Sequence, residues 1–199
     1  MSTERVIVQR PVYEPLVAAI KQHIDTLTVG DPEQSHLSSL FTEGSADNII
    51  AMLKEAKEAG AEMLLGDMKK SGPALLKPHV VTGVKKDTRL WQRETFGPVL
   101  VVAPVDTVDE AVELANATDY SLAAALWTND LYNAMNVSRQ IRSGSLFYFL
   151  LSIALDWVHI RRFCEHQWLD NPCRGYDRNY WVGVCCESCE ILLSQLIYF

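Results

Sequence analysis

The chain predicts an α/β fold, a three-layer α/β/α sheet domain followed by an irregular C-terminal tail. Three observations carry this. Short apolar runs alternate along the chain with segments whose apolar residues recur every three or four positions, the periods of strand and helix. Alternation of the two types, rather than blocks of one, implies a sheet with helices packed on it. Val99-Leu100-Val101-Val102 is continuous rather than alternating, the pattern of a strand buried on both faces in a parallel sheet.

Taken in order, Arg5-Val6-Ile7-Val8 reads as a strand, and Pro11 opens a helix whose inner face is Leu16, Val17, Ile20, Ile24 and Leu27. Val29-Gly30-Asp31-Pro32 is expected to stop it, Gly30 by a left-handed cap and Pro32 by preventing resumption. Ser45 is the expected cap of a second helix with the stripe Ile49, Met52, Leu53 and Ala56, ended by Gly60. Ala61 to Leu65 and Val80 to Thr82 read as strands flanking a loop from Met68 to Pro73, and a charged segment from Lys85 to Arg93 follows. Thr107-Val108-Asp109-Glu110 fits a capping box for a helix burying Val108, Ala111, Val112 and Ala115. After a strand from Leu122 to Trp127, Asn129 or Asp130 caps a helix expected to turn Leu131, Ala134, Met135 and Ile141 inward and to end at Gly144.

A length of 199 residues with 48% apolar content is enough for one sizeable core. The net charge of -7 argues against nucleic-acid binding, which needs a basic face to neutralise phosphates. The first residues lack the basic-then-apolar pattern of a secretory leader, and no stretch reaches the roughly 20 apolar residues that span a bilayer. A cytoplasmic protein without membrane contact is the expectation.

Composition changes near Leu146. All five cysteines (Cys164, Cys173, Cys185, Cys186, Cys189) and three of the five tryptophans lie beyond it, and the last lysine is Lys86. The chain is therefore read as two parts, 1–145 and a Cys/Trp-rich tail, 146–199. Cys186-Glu187-Ser188-Cys189 has zinc-ligand spacing, with Cys185, Cys164, Cys173, His159 and His166 as further candidates. Only one properly spaced pair exists, so free thiols are the preferred reading and no metal site is assigned.

The chemistry centres on Glu94-Thr95-Phe96-Gly97-Pro98-Val99, a carboxylate and a ring set just before a tight turn. A carboxylate there can accept two hydrogen bonds from a vicinal diol such as a ribose, and a ring two residues on can pack against a flat heterocycle. From spacing alone a solvated Glu94 and a core-anchored Phe96 are the commoner arrangement.

Arg93-Glu94-Thr95-Phe96-Gly97-Pro98-Val99, followed in order by Asp109-Glu110-Ala111, Leu114-Ala115-Asn116, Tyr120-Ser121-Leu122-Ala123-Ala124 and Trp127-Thr128-Asn129-Asp130, closely resembles the NAD(P)-dependent aldehyde dehydrogenase family. The resemblance covers about residues 1–145, including Val29-Gly30-Asp31-Pro32, and implies that family's catalytic-domain fold. It implies that Glu94 binds the hydroxyls of the nicotinamide ribose of NAD or NADP and that Phe96 helps position the nicotinamide ring. Ser121 stands where the family usually has Gly, and Ser38-Ser39-Leu40 replaces a Gly-Pro-Leu run; neither changes the assignment.

The mechanism implied is covalent: a cysteine thiolate attacks the aldehyde, hydride passes to the nicotinamide, and a carboxylate activates water to release the acid. In family members the nucleophilic cysteine stands just before a segment similar to Met1-Ser2-Thr3-Glu4-Arg5-Val6, and the general base and the dinucleotide-binding domain lie further upstream. No catalytic residue is thus assigned within this chain, and inactivity of the chain alone is the expectation. The alternatives are a non-catalytic module docking on a full-length dehydrogenase paralogue as a homo- or hetero-oligomer, and a zinc-binding tail protein. The Met1 to Val8 segment leans toward relatives acting on aromatic aldehydes.

Where the family continues after Ser143-Gly144 with a strand containing Val and Asn, this chain enters Leu146 to Leu155, for which a buried strand or an interfacial segment is the plain reading. Reading each codon from Cys164 to Pro172 one nucleotide later permits a set that spells Val-Asn-Ile-Asn-Gly-Ser-Thr-Ile-His. That phrase resembles the missing strand and motivates an origin of the tail in an unspliced insertion followed by a frameshift.

Overall fold

In the computed structural model, residues 3–120, 122–128, 130–150, 159–163 and 195–198 are described, with side chains described up to residue 146. The elements run β1 (Arg5–Gln9), α1 (Arg10–Ile24), α2 (Glu43–Glu58), β2 (Glu62–Leu65), β3 (Lys70–Gly72), β4 (Leu75–Leu76), β5 (His79–Thr82), α3 (Arg89–Gln92), β6 (Val99–Val105), α4 (Val108–Ala115), β7 (Ala123–Thr128), α5 (Leu131–Ser138), β8 (Ser145–Leu150), β9 (His159–Phe163) and β10 (Gln195–Tyr198). Eight strands form one mixed sheet in the order β2-β5-β6-β1-β10-β7-β8-β9. The strands from β5 to β8 in that order are parallel, and the two edges, β2 and β9, pair antiparallel.

The two-residue period of β1 divides the core. Val6 and Val8 join Val17, Val80 and Val102 on the face covered by α1, whose Val12, Tyr13, Leu16, Ile20 and Ile24 pack against them. Ile7, on the other face, joins the larger cluster built by α2, α4 and α5 through Ile49, Leu53, Ala111, Ala115, Ala134 and Val137. Helices therefore lie on both faces, as the continuous run in β6 predicts. Each fully buried aliphatic side chain of this kind contributes about 1.5–3 kcal/mol, so the inner strands stabilise both layers at once.

Local chemistry sets the helix starts. Pro11 lies in the first turn of α1, where its missing N–H is not needed. The Thr107 hydroxyl accepts from Glu110 N, and the Glu110 carboxylate accepts from Asp106 N, one residue earlier than a standard capping box places it. Asp130 caps α5 by accepting from Tyr132 N and Asn133 N; Asn129 lies outside the described residues.

Several expectations are corrected. α1 ends at Ile24 with Asp25 as its C-cap, so Leu27 and Gly30 lie beyond the helix. Thr42 caps α2, its hydroxyl accepting from Ser45 N, so Ser45 supplies a donor in the first turn rather than the cap. The predicted loop after Met68 carries β3, which pairs antiparallel with β4. In α5 the inner face is Ala134, Val137 and Ser138, while Leu131 and Met135 are 51% and 39% exposed. The helix stops at Ser138, and Ile141 is buried from the following turn rather than from the helix. Strand β8 crosses residue 146, and β9 and β10 carry parts of the tail, read as irregular, into the sheet. β10 lies between β1 and β7, parallel to both, with Ile197 opposite Ile7 and Leu126.

Candidate functional site

The turn from Arg93 to Pro98 connects the short helix α3 to β6 and sits where β1 and β6 begin, since the parallel register sets Arg5 opposite Val101. This is the end opposite to the carboxyl ends of the strands, where open α/β sheets usually bind ligands. Val101 N donates to the Glu4 carbonyl at 2.8 Å, which brings the residue before β1 alongside the turn.

Glu4 grips that turn. One of its carboxylate oxygens, Oε1, accepts from Thr95 N at 2.9 Å, Thr95 Oγ1 at 3.0 Å and Phe96 N at 3.1 Å. Consecutive backbone amides converging on one anionic oxygen form a small anion-binding nest, here filled by the chain's own carboxylate. Glu4 and Thr95 are both buried. Phe96 has φ 51°, a left-handed conformation that strains a side chain of this size, and the bond to its amide helps hold it there. Consequently the Phe96 ring is not the core anchor that spacing alone suggests; it stands 79% exposed.

Arg5 supports the turn from below. Its Nε donates to the Trp91 carbonyl at 3.0 Å, its Nη2 reaches the Arg93 carbonyl at 3.5 Å, and its guanidinium lies 5.9 Å from the centre of the Trp91 ring. Arg5 is 1% exposed. Burial works against its charge, while Glu4, Glu94 and Tyr120 favour it. At Gly97 a Cβ would meet Ile49 Cδ1 at 2.3 Å, so a larger residue there would require the buried Ile49 side chain to shift.

Glu94 is half-buried beside this assembly. Burial holds its carboxyl above the usual glutamate range, the like charge of Glu4 adds to the effect, and Arg5 opposes it. The turn thus presents a partly desolvated carboxylate two residues from an exposed ring. Such a pair can accept bonds from two neighbouring hydroxyls and cover one face of a flat heterocycle.

Glu94 and Phe96, singled out from the sequence, therefore share one turn. Glu4 and Arg5 were not singled out; their sequence signals were a charged pair at the start of an apolar strand and their place in the Met1 to Val6 segment that resembles the family's. No group of His, Cys, Asp and Glu able to hold a metal occurs among the described residues. Cys164, Cys173, Cys185, Cys186, Cys189 and His166 lie outside those residues, as does Ser121. No helix among the described residues is long and apolar enough to cross a membrane.

Comparison with known proteins gives this turn its context. The aldehyde dehydrogenase family model matches residues 1–149. A 3-sulfolactaldehyde dehydrogenase from Priestia megaterium is 35% identical over 148 residues, covering 73% of this chain and 31% of that protein. An NADP(+)-linked succinate-semialdehyde dehydrogenase from Mycobacterium ulcerans is 34% identical over 150 residues, 74% of this chain and 33% of its own length. Among solved structures, an NADP-dependent glyceraldehyde-3-phosphate dehydrogenase from Bacillus halodurans in complex with NADP is 36% identical with a TM-score of 0.68, covering 73% of this chain and 30% of that one. An NAD-dependent benzaldehyde dehydrogenase from Corynebacterium glutamicum is 29% identical with a TM-score of 0.69, covering 74% and 32%. The chain spans about a third of the length of the relatives it matches. With its first 149 residues matched and its mixed α/β sheet shared with these structures, the chain belongs to the aldehyde dehydrogenase family.

Proposed function

We propose that this chain carries the nicotinamide-ribose wall of an NAD(P)-dependent aldehyde dehydrogenase, within a partial catalytic domain spanning residues 1–145. The observation that carries the reading is the turn itself: Glu94 half-buried with its carboxyl held above the ordinary range, and Phe96 exposed at φ 51° two residues on. Glu94 would accept the ribose hydroxyls and Phe96 would cover one face of the nicotinamide. When bound, the nicotinamide accepts the hydride leaving the aldehyde carbon.

The chain contributes binding and orientation. It has no cysteine before Cys164, so residues 1–145 hold no thiolate to attack an aldehyde, and the 199 residues as they stand are expected to form no acid. Relatives named for benzaldehyde, 3-sulfolactaldehyde and succinate semialdehyde share the aldehyde group, which supports an aldehyde as the substrate class. Relatives named for NAD and for NADP both occur, which supports a nicotinamide cofactor of either kind. The Cys/Trp-rich composition of 146–199 supports the insertion-and-frameshift origin of the tail, which the coding DNA decides.

The test is a titration of the isotopically labelled chain with nicotinamide mononucleotide and, separately, AMP. Resonances of Glu94 and Phe96 move with the nicotinamide half of the cofactor and not with the adenine half. Equal response to both, or to neither, removes the proposal. A parallel assay of the purified chain with an aldehyde and NAD or NADP is expected to yield no reduced cofactor.

A further inference from the structure

The family reading makes Glu94 and Phe96 the residues of interest, yet the most concentrated set of hydrogen bonds in this region belongs to a different side chain. Three donors from two adjacent residues, Thr95 N, Thr95 Oγ1 and Phe96 N, converge on Oε1 of Glu4 across more than ninety residues of sequence. The carboxylate is buried, and its neighbours at the start of β1 are locked by the ladder to β6. Hydrogen bonds to an ionised acceptor are roughly twice as strong as neutral ones. They act here on a residue, Phe96, whose backbone otherwise favours another conformation.

We propose that Glu4 is a positioning residue for the cofactor wall: by filling the amide nest at Thr95 and Phe96, its carboxylate sets the turn so that Glu94 and Phe96 are presented together. The proposal rests on reading those two as cofactor residues, with Glu4 acting through the turn it holds. Its position matters in two separable ways. As an acceptor it orders the turn. As a negative charge facing Glu94 it helps hold the Glu94 carboxyl above its ordinary range, with burial the larger cause and Arg5 opposing.

Two variants of the 199-residue chain separate these effects. Glu4→Gln keeps an oxygen able to accept from the turn but removes the charge; Glu4→Ala removes both. In Glu4→Gln, the Glu94 carboxyl midpoint, followed by carbon-detected NMR against pH, falls toward the ordinary glutamate range, while Thr95 and Phe96 amides keep their slow exchange. In Glu4→Ala the same midpoint falls and those two amides exchange about tenfold to a hundredfold faster, the effect of losing a charge-assisted acceptor. Unchanged exchange at Ile7 and Val102 in the β1–β6 ladder shows the fold is retained. Should Glu4→Ala fail to fold, Thr95→Val removes one of the three donors from the other side and is expected to speed Phe96 exchange without moving the ladder.

A Glu4→Ala chain with wild-type amide exchange and a wild-type Glu94 midpoint overturns the proposal. Nicotinamide mononucleotide separates the two ideas. If it moves Glu94 and Phe96 in the wild type and binds at least about tenfold more weakly to Glu4→Ala, positioning is supported. If the turn loosens in Glu4→Ala but the wild type ignores the nucleotide, Glu4 still sets the turn and the cofactor reading fails.

Discussion

Glu4 Oε1 accepts the backbone amide of Phe96 at 3.1 Å, which ties the residue before the strand β1 to a phenylalanine held at φ 51°. The relationship explains how a solvent-exposed ring can keep a fixed place: the ring makes little contact, but its backbone is held by a buried anion. The same logic extends to the residues around it, and four predictions follow from their geometry.

Arg5 is fully buried and donates to the Trp91 carbonyl. Arg5→Lys keeps the charge but loses the planar fork that reaches carbonyls of both Trp91 and Arg93. Urea unfolding should show a loss of about 1–3 kcal/mol, the penalty of a buried partner left unsatisfied. An unchanged midpoint would show that these bonds hold nothing.

A methyl group at Gly97 would displace Ile49, because a Cβ would lie 2.3 Å from Ile49 Cδ1 and Ile49 is completely buried. Gly97→Ala is expected to destabilise by about 1–3 kcal/mol through overpacking. Ile49→Val deletes the offending methyl, so the double variant should recover part of that loss in a thermal unfolding cycle. Strict additivity would place the strain elsewhere.

His79 titrates with a defined sign. It is buried, and its Nε2 accepts from Met68 N at 3.0 Å, which requires a neutral ring. Burial pushes its pKa below the ordinary 6.5, against smaller opposing contributions from the Lys77 carbonyl and Asp67. The unfolded chain therefore binds the proton first, and the stability His79 contributes is present above about 6.5 and lost as pH falls toward the folded value. His79→Gln can still accept from Met68 N without titrating, so its urea midpoint should drop less than that of the wild type between pH 7 and pH 5.

Strand β10 fills the space between β1 and β7, with Ile197 paired to both neighbours. Ile197→Pro removes a ladder donor from a strand that has no free edge. A stability loss of about 1–3 kcal/mol, the cost of leaving a ladder acceptor unpaired, is expected from denaturant unfolding. A wild-type midpoint would mean that the terminal strand adds nothing to the sheet.

Much of the fold was legible because the responsible interactions are local. The period of Ile49, Met52, Leu53 and Ala56 predicts one face of α2, and all four are buried. The Thr107 cap was readable for the same reason, its partner being three residues away. Leu131 and Met135 misled because helical period marks a face without saying that it is covered, and the small Ala134 is what the sheet accepts. Thr42 was missed in favour of Ser45 because either hydroxyl stands near the start of the apolar stripe.

The site was legible only in part. Glu94 and Phe96 stand out through a motif, but the conformation that exposes Phe96 depends on Glu4, a residue 92 positions away. No local pattern announces a contact of that separation. The place of β10 was hidden for the same reason: a parallel strand inserted between β1 and β7 is a consequence of topology, and its four residues look like any short apolar run.

The central claim is that Glu94 is the ribose-binding carboxylate of a nicotinamide wall. The most direct measurement is the affinity of nicotinamide mononucleotide for the wild-type chain and for Glu94→Gln, read from the shifts of Phe96. Replacing a carboxylate that accepts from two hydroxyls should weaken binding by at least about tenfold, with the Phe96 turn and its amide exchange unchanged. Equal affinity in the two proteins would contradict the account.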